Sequence, residues 1–591
     1  MSTSRRAFVG ETNQAAIAVA AAPPLTTRTS SDSEKKELLN VDTNEITDSS
    51  DKEAQLQSDD LENQLDEGGE AEEKQGSVFG ADRGKLKKGL SQRHLQMIAL
   101  VGVFGTGIFL FSGSILHTAG PLGTLLCFMI IALIVGLNQT CVAEVACLVP
   151  VTSATVRHLE QFVDPALSFS YGWILVWDCV IPADISAAAL IISYWETNIH
   201  QGVWITLIIL GVAASTFLPI RHYGEMEFLC GVLKLVLLLI LIVTSIVITT
   251  GKATSQGTAI GFKYWSAPSG PFQEYLTTGS LGRFAAFYKG LSGVVFSFGG
   301  VQSVPNLAAE VTHPRRAIFR SCKRVFYRVS ALMILTIFCL TLIIPSNHPS
   351  ITSSAGGAES SPFVIAMKEA GIKGMPHFIN AMVLMSAFSS ACGDVVAASR
   401  TLFALAVKRQ APQLFLKTSK SGIPYWGCAF CLLFSPLAFM GLSQSGAVVF
   451  GWCQDLISAN QLVGWILIAW NHIALGRAMK CQGYSRDRLP HTISFAPAAA
   501  WISGIASFIL LLTAGFQNFV PGHFEWSSFI TTYFIIPLTS GLFIFWKLFK
   551  KTKYVAPNDI DLAALFRDVE QNPEPPYKPL KGWRWLTIIW S

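Results

Sequence analysis

Along this chain, apolar runs of membrane-crossing length alternate with shorter polar breaks. A bilayer core about 30 Å thick needs about 20 apolar residues per helix. On that rule twelve spans are predicted: 96–118, 122–148, 166–194, 201–219, 226–250, 286–308, 327–345, 377–406, 424–442, 447–474, 494–516 and 525–548. Two of the runs are peculiar. The first, "VGVFGTGIFLFSGSILHTAGPLG", holds six glycines, including Gly105 and Gly107 on either side of Thr106. Glycine weakens a helix interior by about 0.5–1 kcal/mol relative to alanine. The sixth, "FSFGGVQSVPNLAAE", is interrupted by Gly299, Gly300 and Pro305.

Helices 1 and 6 stand five spans apart. Two Gly/Pro-broken spans at matching places in two five-helix halves point to the binding site of an inverted-repeat transporter. Half-helix N-termini there offer free N–H groups to a carboxylate, and unwound carbonyls can hold an ammonium. The competing reading is close helix packing, for which small residues also serve.

Composition narrows the class. The chain is 51% hydrophobic and only 14% charged, against about 25% charged for a soluble domain. Residues 1–85 are acidic and poor in aromatics, and that composition predicts a disordered tail. The twelve cysteines fall almost wholly in apolar runs, so no disulfide framework is expected, and Cys428 and Cys431 read as small buried residues. No metal cluster, nucleophile elbow or phosphate loop appears, so neither an enzyme, a cofactor nor a nucleic-acid partner is expected. The Asn138-Gln139-Thr140 sequon lies inside the second span, away from any glycosylating machinery.

Charge distribution says more than its sum of +5. Arg315, Arg316, Arg320, Lys323, Arg324 and Arg328 follow span 6. Lys408, Arg409, Lys417 and Lys420 follow span 8, Arg477, Lys480, Arg486 and Arg488 follow span 10, and Lys547, Lys550, Lys551 and Lys553 follow span 12. The positive-inside rule puts these loops and both termini in the cytosol. Charges inside spans are costly, about 2.5–3.5 kcal/mol at the bilayer centre. The candidates are Glu144, Asp178, Asp184, Lys234, Glu310, Asp394 and Asp455. Lys234 has no evident partner in its own run, so snorkelling or pairing with another helix is expected. Glu144 and Asp178 read equally as interhelical polar pairs or as transport groups.

At these residues the sequence resembles the fungal amino acid permeases of the yeast amino acid transporter family, within the amino acid–polyamine–organocation superfamily. The resembling stretches include "GVFGTGIFLFSGSILHTAGPLG", "FVDPALSFSYGW", "PADISAAALIISYW", "EVTHPRRAIFRSCKRVFYRV", "AASRTLFALA", "QAPQLFLKTSKSGIPY", "RDRLP" and "KKTKYVAPNDIDL". The resemblance implies an all-α polytopic protein of twelve transmembrane helices: two inverted five-helix repeats plus two more. It implies a permease domain over 90–550 between the tail at 1–85 and a cytosolic tail at 551–591. It implies proton-coupled uptake of L-amino acids across the plasma membrane. Gly105, Thr106 and Gly107 would meet the substrate carboxylate. Phe298, Gly299 and Gly300 would meet its amine, with Phe298 closing over it and Val301 beside them. Lys234 would occupy the place a sodium ion takes in related carriers and would cycle a proton, with Glu144, Asp178, Asp184, Glu310 and Asp394 as the other coupling candidates.

Four departures from the family pattern matter. Val301-Gln302 stands where Thr-Glu is usual, Asp184 replaces a glutamate, Ala309-Glu310 replaces Gly-Glu, and Cys392 replaces an asparagine. The lost acid favours a neutral or apolar substrate side chain over a basic one, although Asp394 or Asp178 can supply a counter-charge. A non-transporting sensor and an exchanger are the alternatives. In the family such tails are ubiquitinated and drive endocytosis, so the resemblance implies ubiquitin ligase and arrestin machinery acting on the tail lysines Lys35, Lys36, Lys52 and Lys74, the alternative being a solvated leader.

Overall fold

A computed structural model describes residues 97, 102 and 104–574, apart from 179, 196–197, 252–258, 301–302, 307–310, 312, 353–360 and 444–445. The acidic segment 1–85 and the candidates Val301 and Glu310 lie outside the described residues.

Helices carry the described chain. A π-helical turn at Gly107–Phe111 leads into α1 (Ser112–Leu148). That helix joins the first two expected spans and bends between them at Gly120 (φ 76°, ψ 172°), just before Pro121. A side chain at Gly120 would meet Pro271 O and Phe272 Cα at 2.9 Å. Outside the spans lies α2 (Ala154–Phe162), where His158 Nε2 meets Val149 O at 2.9 Å. Burial pulls His158 down to about 4, so it is a neutral tie. The third span is divided into α3 (Pro165–Trp177) and α4 (Val180–Ile192). Asp164 caps α3 by accepting from Ala166 N at 2.8 Å, with Pro165 in the first turn, where its missing N–H costs nothing.

There follow α5 (Gln201–Thr216), α6 (Ile220–Thr249), α7 (Gly279–Ser297), the short α8 (Ser303–Asn306), α9 (Pro314–Ile343), α10 (Met375–Val407), α11 (Tyr425–Leu432), α12 (Gly446–Cys481), α13 (Ala496–Thr513), α14 (Trp526–Tyr533), α15 (Ile535–Lys550) and α16 (Leu562–Gln571). Among the described residues, eight helices are long and apolar enough to cross a membrane. The count is nine if α14 and α15, bent by 44°, form one span, and α5 is shorter than the rest. Large apolar side chains such as Leu133, Leu210, Val243, Ile505 and Phe545 stand exposed on outer faces. Water would not tolerate so many, whereas lipid is their natural solvent. The protein is a multi-pass membrane protein.

The basic residues after span 6 differ from expectation. They do not form a loop: 315–328 are the first turns of α9. The C-terminal segment is also more than a tail. In α16, Asp568 Oδ2 accepts from the buried Arg315 Nη2 at 2.6 Å. Glu574 accepts from the Arg315 and Arg316 backbone N–H groups at 2.8 Å each, so a carboxylate caps the start of α9. Gln482 Nε2 donates to Pro557 O and Ile560 O, tying the end of α12 to the same segment.

Candidate functional site

The first span loses its helix at Phe104 and Gly105, which form a bend. Thr106 then starts the π-helical turn, and its side chain does not cap it. The Thr106 hydroxyl turns to Asp184 Oδ1 in α4 at 3.1 Å. The sixth span breaks after Ser297: Phe298 leaves helical geometry (φ −102°, ψ 13°) and Gly300 takes φ 77°.

The two breaks cross backbone against backbone. A Cβ on Gly107 would sit 2.9 Å from Ser297 Cα, and one on Gly300 would sit 2.5 Å from Gly102 O. A side chain at either position would force the two backbones apart. Gly102, Gly107 and Gly300 thus allow the two breaks to pack closely, whereas Gly105 borders a cavity, where a side chain would meet only Ser390 Oγ, at 3.4 Å.

That cavity, about 110 Å³, lies between the breaks and α4, α6, α10 and α12. Backbone of Gly105, Thr106, Gly107, Gly299 and Gly300 lines one side. Three acids from three helices, Asp184, Glu227 and Asp394, share the lining. Ser389 Oγ donates to Glu227 Oε2 at 2.9 Å. Asp184 and Asp394 are neighbours in this lining. Glu227 Oε1, Asp394 Oδ2 and Ser390 Oγ are buried without a hydrogen-bond partner among the described residues. Buried polar atoms are nearly always paired, so these three mark where a polar ligand fits. Lys234 is fully buried just outside the lining, facing Glu227, Asp184 and Asp394.

The candidate residues sort as follows. Gly105, Thr106, Gly107, Gly299, Gly300, Asp184 and Asp394 converge on the cavity, with Lys234 at its back. Phe298 does not line it: the ring is buried 6.2 Å from Phe128, and Phe296 lines the cavity instead. Two residues along a helix is about 200° of rotation, so at a break the two rings point apart. Asp178 sits at the end of α3 and accepts from Asn460 Nδ2 at 2.6 Å, outside the lining. Glu144 is elsewhere. Its carboxylate accepts from Arg486 Nη2 at 2.7 and 2.8 Å and from Ile493 N at 2.6 Å, and meets His472 Nε2 at 2.7 Å. Asp455 also lies off the cavity, near Thr531 Oγ1 at 3.4 Å.

Sequence reasoning missed Glu227. It precedes Lys234 by two helical turns on α6, in "GEMEFLCGVLK", and so shares its face. The signal is masked because the acid lies at the polar start of an apolar run.

Comparison with known proteins places this geometry. A family model described as "Amino acid permease" matches residues 94–556. The chain is 32% identical over 502 residues to the dicarboxylic amino acid permease of Saccharomyces cerevisiae, covering 83% of this chain and 81% of that one. It is 32% identical to the proline-specific permease of the same yeast (84% and 82% covered) and 30% identical to its lysine-specific permease (82% and 79%). Among solved structures, a mutant of the Eremococcus coleocola manganese transporter shares the fold at a TM-score of 0.51 and 11% identity, over 77% of this chain and 94% of that one.

Proposed function

Because the chain belongs to the amino acid permease family, we propose that it imports L-amino acids across the plasma membrane by alternating access with proton symport. The observation that carries this reading is a cavity between two broken helices with three acids in its lining. The N–H groups at the Gly105–Gly107 break suit a substrate carboxylate, and the Thr106 hydroxyl, which donates to Asp184 in this structure, becomes a further donor once it turns from Asp184 to the substrate. The carbonyls at the break after α7, with Asp184 and Asp394 in the same lining, suit the ammonium.

Charge counting supports the coupling. Three acids face one lysine around the cavity. Fully ionised, they would bury two uncompensated negative charges, which is costly in low dielectric. Protons and the substrate ammonium relieve that cost together. Lys234 then trades its proton with the acids as the substrate enters and leaves. Val180, Phe296 and Ile457 add an apolar wall, and with Val301-Gln302 at the place of the family's acid they favour a neutral side chain. The named relatives differ in cargo, so overall identity does not choose among amino acids.

Twelve crossings, counting the short and broken helices, with both termini cytosolic, follow from the basic face formed by the start of α9 and the ends of α10, α12 and α15. The acidic segment 1–85 serves as a turnover signal read by ubiquitin ligase and arrestin machinery. Deleting residues 1–80 should then lengthen surface lifetime after an amino acid pulse, and an unchanged lifetime removes that role.

The decisive test is uptake of a labelled amino acid panel, at acidic and near-neutral pH, in a yeast lacking its own permeases. Acid-stimulated uptake, lost in Gly105→Leu and independent of pH in Lys234→Ala, is the expected result. No uptake by protein shown to be at the surface would favour a sensor, and stimulation by internal substrate would favour an exchanger.

A further inference from the structure

A second cavity, about 260 Å³, lies between α1, α9 and the approach to α13, away from the central site. Its apolar wall is Leu133, Leu137, Phe326 and Phe495. Phe326 packs onto Gly136, where α1 and α9 approach closely. Leu133 and Phe495 are 63% and 53% exposed on the rim, so the cavity opens sideways into the bilayer.

Two polar features do not belong in an apolar crevice. Gln139 is 3% exposed and lines it, yet its amide oxygen and nitrogen both lack a hydrogen-bond partner among the described residues. Leaving both unpaired is costly. Lys323 also lines it, exposed and in no ion pair among the described residues. The pair offers an anion site beside an uncharged donor and acceptor, with an apolar channel leading away.

We infer that this crevice binds an anionic glycerophospholipid of the leaflet on the basic side of the protein. Its net-negative headgroup meets Lys323, where a zwitterionic headgroup would bring its own cation, a glycerol ester or hydroxyl meets the Gln139 amide, and one acyl chain runs past Leu133, Leu137 and Phe326. Basic pockets between membrane helices on the cytosolic side are where such headgroups gather. A sterol offers one hydroxyl and no charge, so it would leave Lys323 and half of the Gln139 amide unanswered. Only the choice of leaflet rests on the orientation proposed above.

The test is native mass spectrometry of the full-length protein in mild detergent, mixed with equal amounts of phosphatidylserine and phosphatidylcholine. A parallel sample contains ergosterol. Wild-type protein should retain phosphatidylserine in preference. Lys323→Gln should lower that retention about five-fold, the worth of one lysine at an anionic surface. Gln139→Leu should lower retention of both phospholipids, and Lys417→Gln, on another exposed loop, should change nothing. Equal retention of the two phospholipids by wild-type protein would overturn the inference. So would retention unaffected by either cavity variant, or displacement of the phospholipid by ergosterol. If Gln139→Leu fails to fold, Lys323→Gln, at an exposed position, decides alone. The readout requires no transport, so it stands or falls independently of the proposed function.

Discussion

Gly300 shows how one atom governs this site. A methyl there would face both the carbonyl of Gly102 at 2.5 Å and a φ of 77°, and left-handed backbone alone costs a non-glycine residue about 1–2 kcal/mol. Gly300→Ala should therefore cut uptake about ten-fold or more while the protein still reaches the surface, since 1.4 kcal/mol is a factor of ten. Thr106 acts through its hydroxyl, not its bulk. Thr106→Val removes the bond to Asp184, and a hydrogen bond to a charged group is worth about 1.5–3 kcal/mol. Uptake should fall about ten-fold or more in the valine variant and recover in Thr106→Ser; equal loss in both would mean that only shape matters. These residues stand out in the sequence because glycine weakens the helix that an apolar span must form. Phe296 and Phe298 are not separable in the same way, because the helical phase at a break is set by the packing around it.

Single elements are held by buried charge at their ends. Glu144, at the end of α1, is 1% exposed and is met by Arg486, His472 and the Ile493 N–H. Removing one partner of a buried pair costs about 3–5 kcal/mol, and Arg486, one-third exposed, puts this case at the low end. Glu144→Gln should thus lower the melting temperature in detergent while the KM of the surviving uptake stays unchanged. A changed KM at unchanged stability would return Glu144 to the coupling machinery. Sequence alone sets Glu144 beside Asp184 and Asp394 as equals, since hydropathy marks a charge in a span but not what it faces. The start of α9 repeats the theme: residues that look like a loop by charge are helical because Glu574 and Asp568 answer them.

For the whole molecule, the segment 557–574, which includes α16, ties the start of α9 to the end of α12. Asp568→Ala leaves Arg315 buried without its carboxylate, so the segment should detach and trypsin should cut at the exposed Arg567. Cleavage in inside-out vesicles but not in intact cells would also place this segment in the cytosol. Resistance in both variant and wild type would mean that the segment is held by other contacts. The sequence by itself determined the membrane class, the two broken helices and the family, because burial in lipid demands long apolar runs and any exception to them stands out locally. Only the tertiary structure decided which exceptions meet. Asp184, Glu227 and Asp394 come from α4, α6 and α10 and gather around one cavity with Lys234 behind them, while Glu144 and Asp178 find other partners. Helix rotation and crossing set those meetings, and both are fixed by packing between residues far apart in the chain.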